Sequence, residues 1–180
     1  MDGGESFFES IATSFISKNE DVEQFLRQKA VQATKLNTAA TYLVISYENK
    51  KLDLLGYFTL ATKMLTLKQS SLTKTESKSI SRFGYFDEDS QSYKLPAILI
   101  AQFSRNFHKD SNSISGSDLM DIALEKIRDI LHSTSGKAVF LECEPSEKII
   151  EFYINNNFQQ LGNTIISKDN KELTQLYMIL

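Results

Sequence analysis

A chain of 180 residues, 41% hydrophobic and 24% charged, has the make-up of one globular domain able to bury roughly 70% of its unfolded surface. Seven glycines and two prolines exclude collagen-like and low-complexity classes and predict long regular elements with few tight turns. A net charge of −3 and a lone cysteine, Cys143, argue against bulk attraction to nucleic acid and against an internal disulfide, and they fit a reducing compartment.

The opening MDGGESFFES lacks the basic-then-apolar pattern of a signal peptide, and no apolar run approaches the ~18 residues of a membrane span. The expectation is a soluble cytoplasmic protein without a membrane partner. Phe7, Phe8, Ile11, Ala12, Phe15 and Ile16 recur at spacings of three and four, which predicts a helix over 5–17. Val22, Phe25, Leu26, Ala30, Ala33 and Leu36 predict a second over 21–36. TYLVISY and LLGYFTLATKML are β-branched and aromatic, and with ENKKLD as the turn they read as a hairpin over 41–67.

Residues 68–92 are rich in Ser, Thr and Lys and read as a long polar surface excursion with a short helix in it. LPAILIAQFS is apolar without alternation, as a strand buried on both faces would be. A polar loop leads to a strongly amphipathic helix over 116–132. KAVFLECE is a strand, SEKIIEFYINNN a helix, and FQQLGN and LTQLYMIL are two final strands. The β-α-β stretch at 95–143 implies a parallel pair with a right-handed crossover. The hairpins make the sheet mixed. No repeat or second core divides the chain, so 1–180 is expected to be one domain.

Chemistry is expected at two places. A helix N-terminus after a buried parallel strand leaves backbone N–H groups unpaired and carries roughly half a positive charge. Ser113-Ile114-Ser115-Gly116-Ser117 stand there, small and hydroxyl-rich, and Gly116 permits close backbone approach to an anion. Ser115 and Asp118 also read as an N-cap with a capping-box partner, and the two readings can coexist. Arg105, His108 and Lys109 would supply positive charge. The second place is Glu142 and Glu144 with Tyr153: two carboxylates on one strand face for a general base, and a phenol for a proton donor. The alternatives are solvated glutamates at a strand end and a core tyrosine. His108 and His132 lack partners at metal-ligand spacing, so no metal is expected. The basic stretch Lys68–Arg82 reads as solvated loop.

Four pieces together resemble the GCN5-related N-acetyltransferase (GNAT) superfamily: LPAILIAQF, SISGSDLMDIALEKI, KAVFLECE and SEKIIEFYINNNFQQLG. The opening half, DVEQFLRQKAVQAT to LLGYFTLATKML, is similar to stand-alone bacterial members. The resemblance covers residues 20–180. It implies an α/β fold: a mixed, mostly antiparallel twisted sheet of six or seven strands with a central parallel, splayed pair, flanked by about four helices. It implies acetyl-CoA as co-substrate, with pantetheine on backbone groups of Ile100, Ala101, Gln102 and Phe103 and pyrophosphate on the turn Ser113–Ser117, near Lys109. The pyrophosphate motif Q/R-x-x-G-x-G/A falls on Ser111 to Gly116 and keeps only Gly116, with Ile114 in place of a glycine. In the later motif Phe152, Tyr153 and Phe158 match, Ser146 stands where Asn is usual, and Asn157 stands where the helix-ending Gly is usual. The resemblance makes Tyr153 the donor to the CoA thiolate and leaves Glu142 or Glu144 as base.

The activity it implies is N-acetylation of a small amine or peptide amine. The alternatives are a toxin-like enzyme acetylating charged tRNA, the one nucleic acid kept open, and a degenerate module that binds acyl-CoA or a partner without catalysis. The C-terminal LYMIL is expected to serve as an edge for a homodimer.

Overall fold

The computed structural model describes residues 2–48, 50–108, 114–167 and 170–180, without the side chains of residues 2, 3, 48, 51 and 163. Its elements in order are α1 (Asp2–Ala12), α2 (Glu20–Gln24), a π-helical turn (Phe25–Lys29), α3 (Ala30–Lys35), β1 (Ala40–Glu48), β2 (Lys51–Lys68), a 3-10 turn (Gln69–Ser71), α4 (Lys74–Ile80), β3 (Tyr85–Asp87), β4 (Ser92–Arg105), α5 (Gly116–Thr134), β5 (Ala138–Cys143), α6 (Glu147–Asn155), β6 (Gln159–Ile166) and β7 (Glu172–Ile179). The sheet runs β1-β2-β4-β5-β7-β6, with β3 hairpinned onto β4. The described strand pairs are antiparallel except β4 with β5, so the mixed sheet with one parallel pair is present as expected. Among the described residues no helix is long and apolar enough to cross a membrane. The chain divides into two compact units, Met1–Ala61 with Ala101–Glu125, and Thr62–Ile100 with Lys126–Leu180.

In the first unit α1 ends at Ala12, short of the predicted 17. Phe15 is needed elsewhere: its ring is buried edge-on against Tyr57 at 5.1 Å. Arg27 Nη2 donates to the carbonyls of Phe15 (2.7 Å) and Thr13 (3.3 Å), which closes the chain into a loop after α1. Asn19 caps α2 by accepting from Asp21 N at 2.9 Å. The predicted helix over 21–36 is there, wound as π over Phe25–Lys29. Leu26, Ala30, Leu54 and Tyr57 form the core with Phe15, and burial holds the Tyr57 phenol up from its ordinary pKa while its hydroxyl donates to Val22 O at 2.5 Å. The hairpin register slips between Val44 and Ile45, which pair with Gly56 and Leu54. Leu55 is the extra residue of this bulge.

In the second unit the segment 68–92 is not a plain excursion. Thr73 and Glu76 form a reciprocal capping box at the start of α4, and Ile80 is buried beside Leu65, Leu67, Leu95 and Phe140. One apolar residue in a polar stretch anchors the helix, and composition hides it. Lys94 pairs with Asp87 across the β3–β4 hairpin, and this hydrogen bond, followed by those from Ser90, holds the Asp87 carboxyl down at about 2. β7 is internal: β5 pairs along Thr174–Ile179, and β6 takes the other edge at Glu172–Thr174, Leu176 and Tyr177. The C-terminal strand is therefore not the open edge that dimer pairing through LYMIL required.

Candidate active site

The site residues expected from sequence fall in both units, and each set is built by its own unit. In the second unit Ile100 is buried and pairs with Leu141, the last register step of the parallel pair, while β4 and β5 both continue beyond it. Glu142 and Cys143 follow on β5 with opposite orientations. Cys143 is buried, and burial and then the Glu144 charge push its thiol up to about 11. Glu142 is exposed and accepts from Gln175 Nε2 at 2.9 Å, directly opposite on β7. Glu144 is exposed and lies past the end of the strand. The two carboxylates are thus open to solvent rather than enclosed.

Tyr153 sits in the last turn of α6 and is buried. Phe152 and Phe158 meet its ring edge-on, at 5.1 Å and 5.9 Å between centroids. Its backbone carbonyl accepts from Asn156 N and Phe158 N, both at 3.0 Å. Asn157 has φ 67°, so it takes the left-handed position that a glycine ordinarily fills, as the sequence implied. That turn returns Phe158 onto the Tyr153 ring. Burial, and secondarily Cys143, raises the Tyr153 phenol above its ordinary value. The group is neutral and carries its proton throughout the physiological range.

Ser146 is the N-cap of α6, in extended conformation, but its hydroxyl makes no capping bond. The turn is made by backbone instead: Ser146 N donates to Glu144 O at 2.7 Å, and Ser146 O accepts from Ile150 N at 2.9 Å. A cap hydroxyl left out of its own cap is open to another partner.

The first unit holds the end of β4 and the start of α5. Ala101 is exposed, and Gln102 and Phe103 are half-buried. Ser115 caps α5: its Oγ accepts from Asp118 N at 3.1 Å and its N–H donates to Asp118 Oδ2 at 2.9 Å. This is the capping-box reading, and hydrogen bonding from the Ser115 side chain and then its backbone N–H holds the Asp118 carboxyl below its ordinary value. The cap leaves the N–H groups of Gly116 and Ser117 pointing out of the first turn. Ile114 is buried, one residue before the cap, and Leu119 is buried at the fourth helical position. These are the two places of a hydrophobic staple. Ile114 replaces the motif's glycine because it anchors the helix entry. Lys109 and Ser113 lie outside the described residues.

Sequence reasoning missed the residues that hold the end of β4. Asn106 is buried at 1% exposure. Its N–H donates to Leu55 O (2.7 Å), the carbonyl of the β2 bulge, and its Nδ2 to Leu54 O (2.9 Å). Its Oδ1 accepts from Ile16 N and His108 N, each at 3.0 Å. One amide thus ties the chain after β4 to the bulge and to the loop after α1. A Cβ on Gly56 would stand 3.0 Å from Arg105 Cα, Ser104 O and Leu119 Cδ2, so a glycine there lets β2 run against the end of β4 and the start of α5. Arg105 Nη1 donates to Ile114 O at 3.2 Å. The Arg105 guanidinium and Lys18 Nζ both lie over the Phe107 ring, at 4.7 Å and 4.9 Å from its centroid. Two cations are thereby fixed near the turn. Arg105 was legible as a charge; Lys18, Phe107 and Asn106 carry no spacing signal, being brought together from segments ninety residues apart.

Comparison with solved structures comes from shape alone. No protein-family model and no curated protein matches the sequence. The chain is similar to a tyrosine-to-phenylalanine mutant of the toxin AtaT (TM-score 0.68, 14% identity, 93% of this chain and 82% of that one). It is similar to a tyrosine-to-phenylalanine mutant of KacT (0.67, 20%, 93% and 86%). It is also similar to AtaT complexed with acetyl-methionyl-tRNAfMet (0.65, 17%, 93% and 86%). The chain has the GNAT fold.

Proposed function

We propose that residues 1–180 act as one acetyl-CoA-dependent N-acetyltransferase domain, moving the acetyl group to a primary amine by direct attack. The observation that carries this reading is Tyr153: a neutral phenol, buried between two rings at a helix end. Support for the co-substrate comes from the fold and from a similar structure, AtaTR bound with AcCoA. Support for a tyrosine with a role comes from the AtaT and KacT mutants, in each of which one tyrosine is replaced by phenylalanine.

In this reading Gly116 and Ser117 N–H groups take the pyrophosphate, aided by the helix dipole, with Arg105 and Lys18 supplying countercharge. Ile100, Ala101, Gln102 and Phe103 offer backbone groups to the pantetheine, and Ser146 Oγ a further hydrogen bond. Lys109 and Ser113 belong to the same proposal. The amine nitrogen forms a bond to the thioester carbon, whose oxygen is polarised by strand N–H groups. The C–S bond breaks, and Tyr153 protonates the leaving sulfur. The burial that raises the phenol would raise a thiol beside it in the same direction, as it does at neighbouring Cys143, so the leaving thiolate is a good acceptor for the phenol's proton. The amine's proton leaves through water to Glu142 or Glu144, both open to solvent.

A second reading of the acceptor, the amine of a charged tRNA, is supported by the similar AtaT complex with acetyl-methionyl-tRNAfMet. Both readings share the chemistry and its test. Tyr153→Phe removes the proton and keeps the ring. Turnover, followed as CoA released with an amine panel and with charged tRNA, is expected to fall about 100-fold with acetyl-CoA affinity little changed. Unchanged turnover would remove Tyr153 from the mechanism, and no CoA release by the wild type would favour a binding module.

A further inference from the structure

Charge is distributed unevenly along this acidic chain. Residues 62–85 hold Lys63, Lys68, Lys74, Lys78 and Arg82 against one carboxylate, Glu76, so a net +4 sits in a chain whose total is −3 and leaves −7 elsewhere. All five cations are exposed. Among the described residues none of the five pairs with a carboxylate, unlike Arg27, Lys35 and Lys94. Glu76 keeps its charge, already counted in that sum, but its Oε2 is held by Thr73 N and Thr73 Oγ1, both at 2.7 Å, and it forms no ion pair with the five cations.

Two of the five share a helix face, and a third follows it closely. Lys74 and Lys78 stand four apart on α4, and Arg82 continues the spacing in the turn that follows. Such positions are neighbours on one helix face, and like charges there weaken a helix. The capping box and buried Ile80 hold α4 in spite of that repulsion. Between the cations stand the hydroxyls of Thr75, Ser77, Ser79 and Ser81. Three residues beyond Arg82, Tyr85 is 71% exposed.

We propose that the α4 face is a docking surface for the phosphate backbone of an RNA, with Lys74, Lys78 and Arg82 contacting phosphates and Tyr85 offering a ring to an unpaired base. Spaced cations with hydroxyl donors suit phosphate oxygens, and an exposed aromatic beside them suits single-stranded nucleic acid better than an acidic protein. The docking stands on this surface alone. The choice of RNA over DNA rests on the second reading of the acceptor.

The test measures binding of unfractionated tRNA by fluorescence anisotropy between 50 and 200 mM salt, for the wild type and for Lys74→Gln/Lys78→Gln/Arg82→Gln. The triple variant is expected to bind at least tenfold more weakly at the low-salt end, with a salt slope smaller by about 2, as three lost single-strand phosphate contacts require. Tyr85→Ala is expected to weaken binding about tenfold with the slope unchanged. Acetyl-CoA affinity of both variants should equal that of the wild type. Absence of wild-type binding at 50 mM salt, or an unaltered triple variant, would overturn the docking surface. Equal or tighter binding to duplex DNA, to poly-glutamate or to anionic phospholipid vesicles would overturn its assignment to RNA. If tRNA binding behaves as expected and acetyl-CoA does not bind, the acetyltransferase reading falls and the docking surface stands.

Discussion

Two helices of this protein begin on a serine, and the two serines are used differently. Ser115 at the start of α5 is spent on structure, bonded both ways to Asp118. Ser146 at the start of α6 makes no cap bond, and backbone alone closes its turn. The surroundings differ in the same sense. The residue before the α5 cap takes a polar contact, Arg105 to Ile114 O, and Asn106 ties the end of β4 to the β2 bulge. The Tyr153 end of α6 is fixed by rings and by one left-handed residue, Asn157. The lesson is that a helix start read from sequence as a ligand turn can be reached by contacts from outside its motif. The donors proposed for the cofactor there are backbone N–H groups, and the Ser115–Asp118 cap with the Arg105 bond to Ile114 O borders them.

The contrast can be broken by mutation. Asn106→Ala has the largest expected effect on folding: it strips partners from the buried Leu54 O and from Ile16 N, which is expected to cost about 3 kcal/mol in denaturant unfolding. A loss under about 1 kcal/mol would mean that the bulge holds itself. Ser115→Ala is expected to cost about 1 kcal/mol, the usual value of a lost N-cap, and Ser146→Ala only a few tenths. Equal losses at the two serines would erase the distinction between them. Should Ser146 hold the cofactor as proposed, its alanine variant would weaken acetyl-CoA binding while leaving stability in place.

Much of the fold was legible in the sequence because its signals are local. The hairpin over 41–67, the amphipathic 116–132 helix and the strand-helix run to Phe158 show their periodicities directly. The end of α1 was not, since Phe15 leaves the helix to meet Tyr57, a contact that no spacing encodes. Within 68–92 the short helix was expected, but its anchoring was not legible, because a single buried Ile80 organises a polar stretch. At the site, Tyr153 and Asn157 could be found from their motif, and the Ser115–Asp118 pair from its spacing. The Asn106 network and the Lys18–Phe107–Arg105 cluster could not, because they join the loop after α1 to the end of β4. Non-local polar contacts of this kind leave no periodic trace.

The central claim is that the chain binds acetyl-CoA through the α5 start in spite of its poor motif. Isothermal titration of the wild-type protein with acetyl-CoA tests it most directly. Saturable one-to-one binding is expected, abolished or strongly weakened by excess CoA, and weakened about tenfold when Arg105 is changed to Gln. No heat of binding at millimolar acetyl-CoA, from a protein shown to be folded, would contradict it.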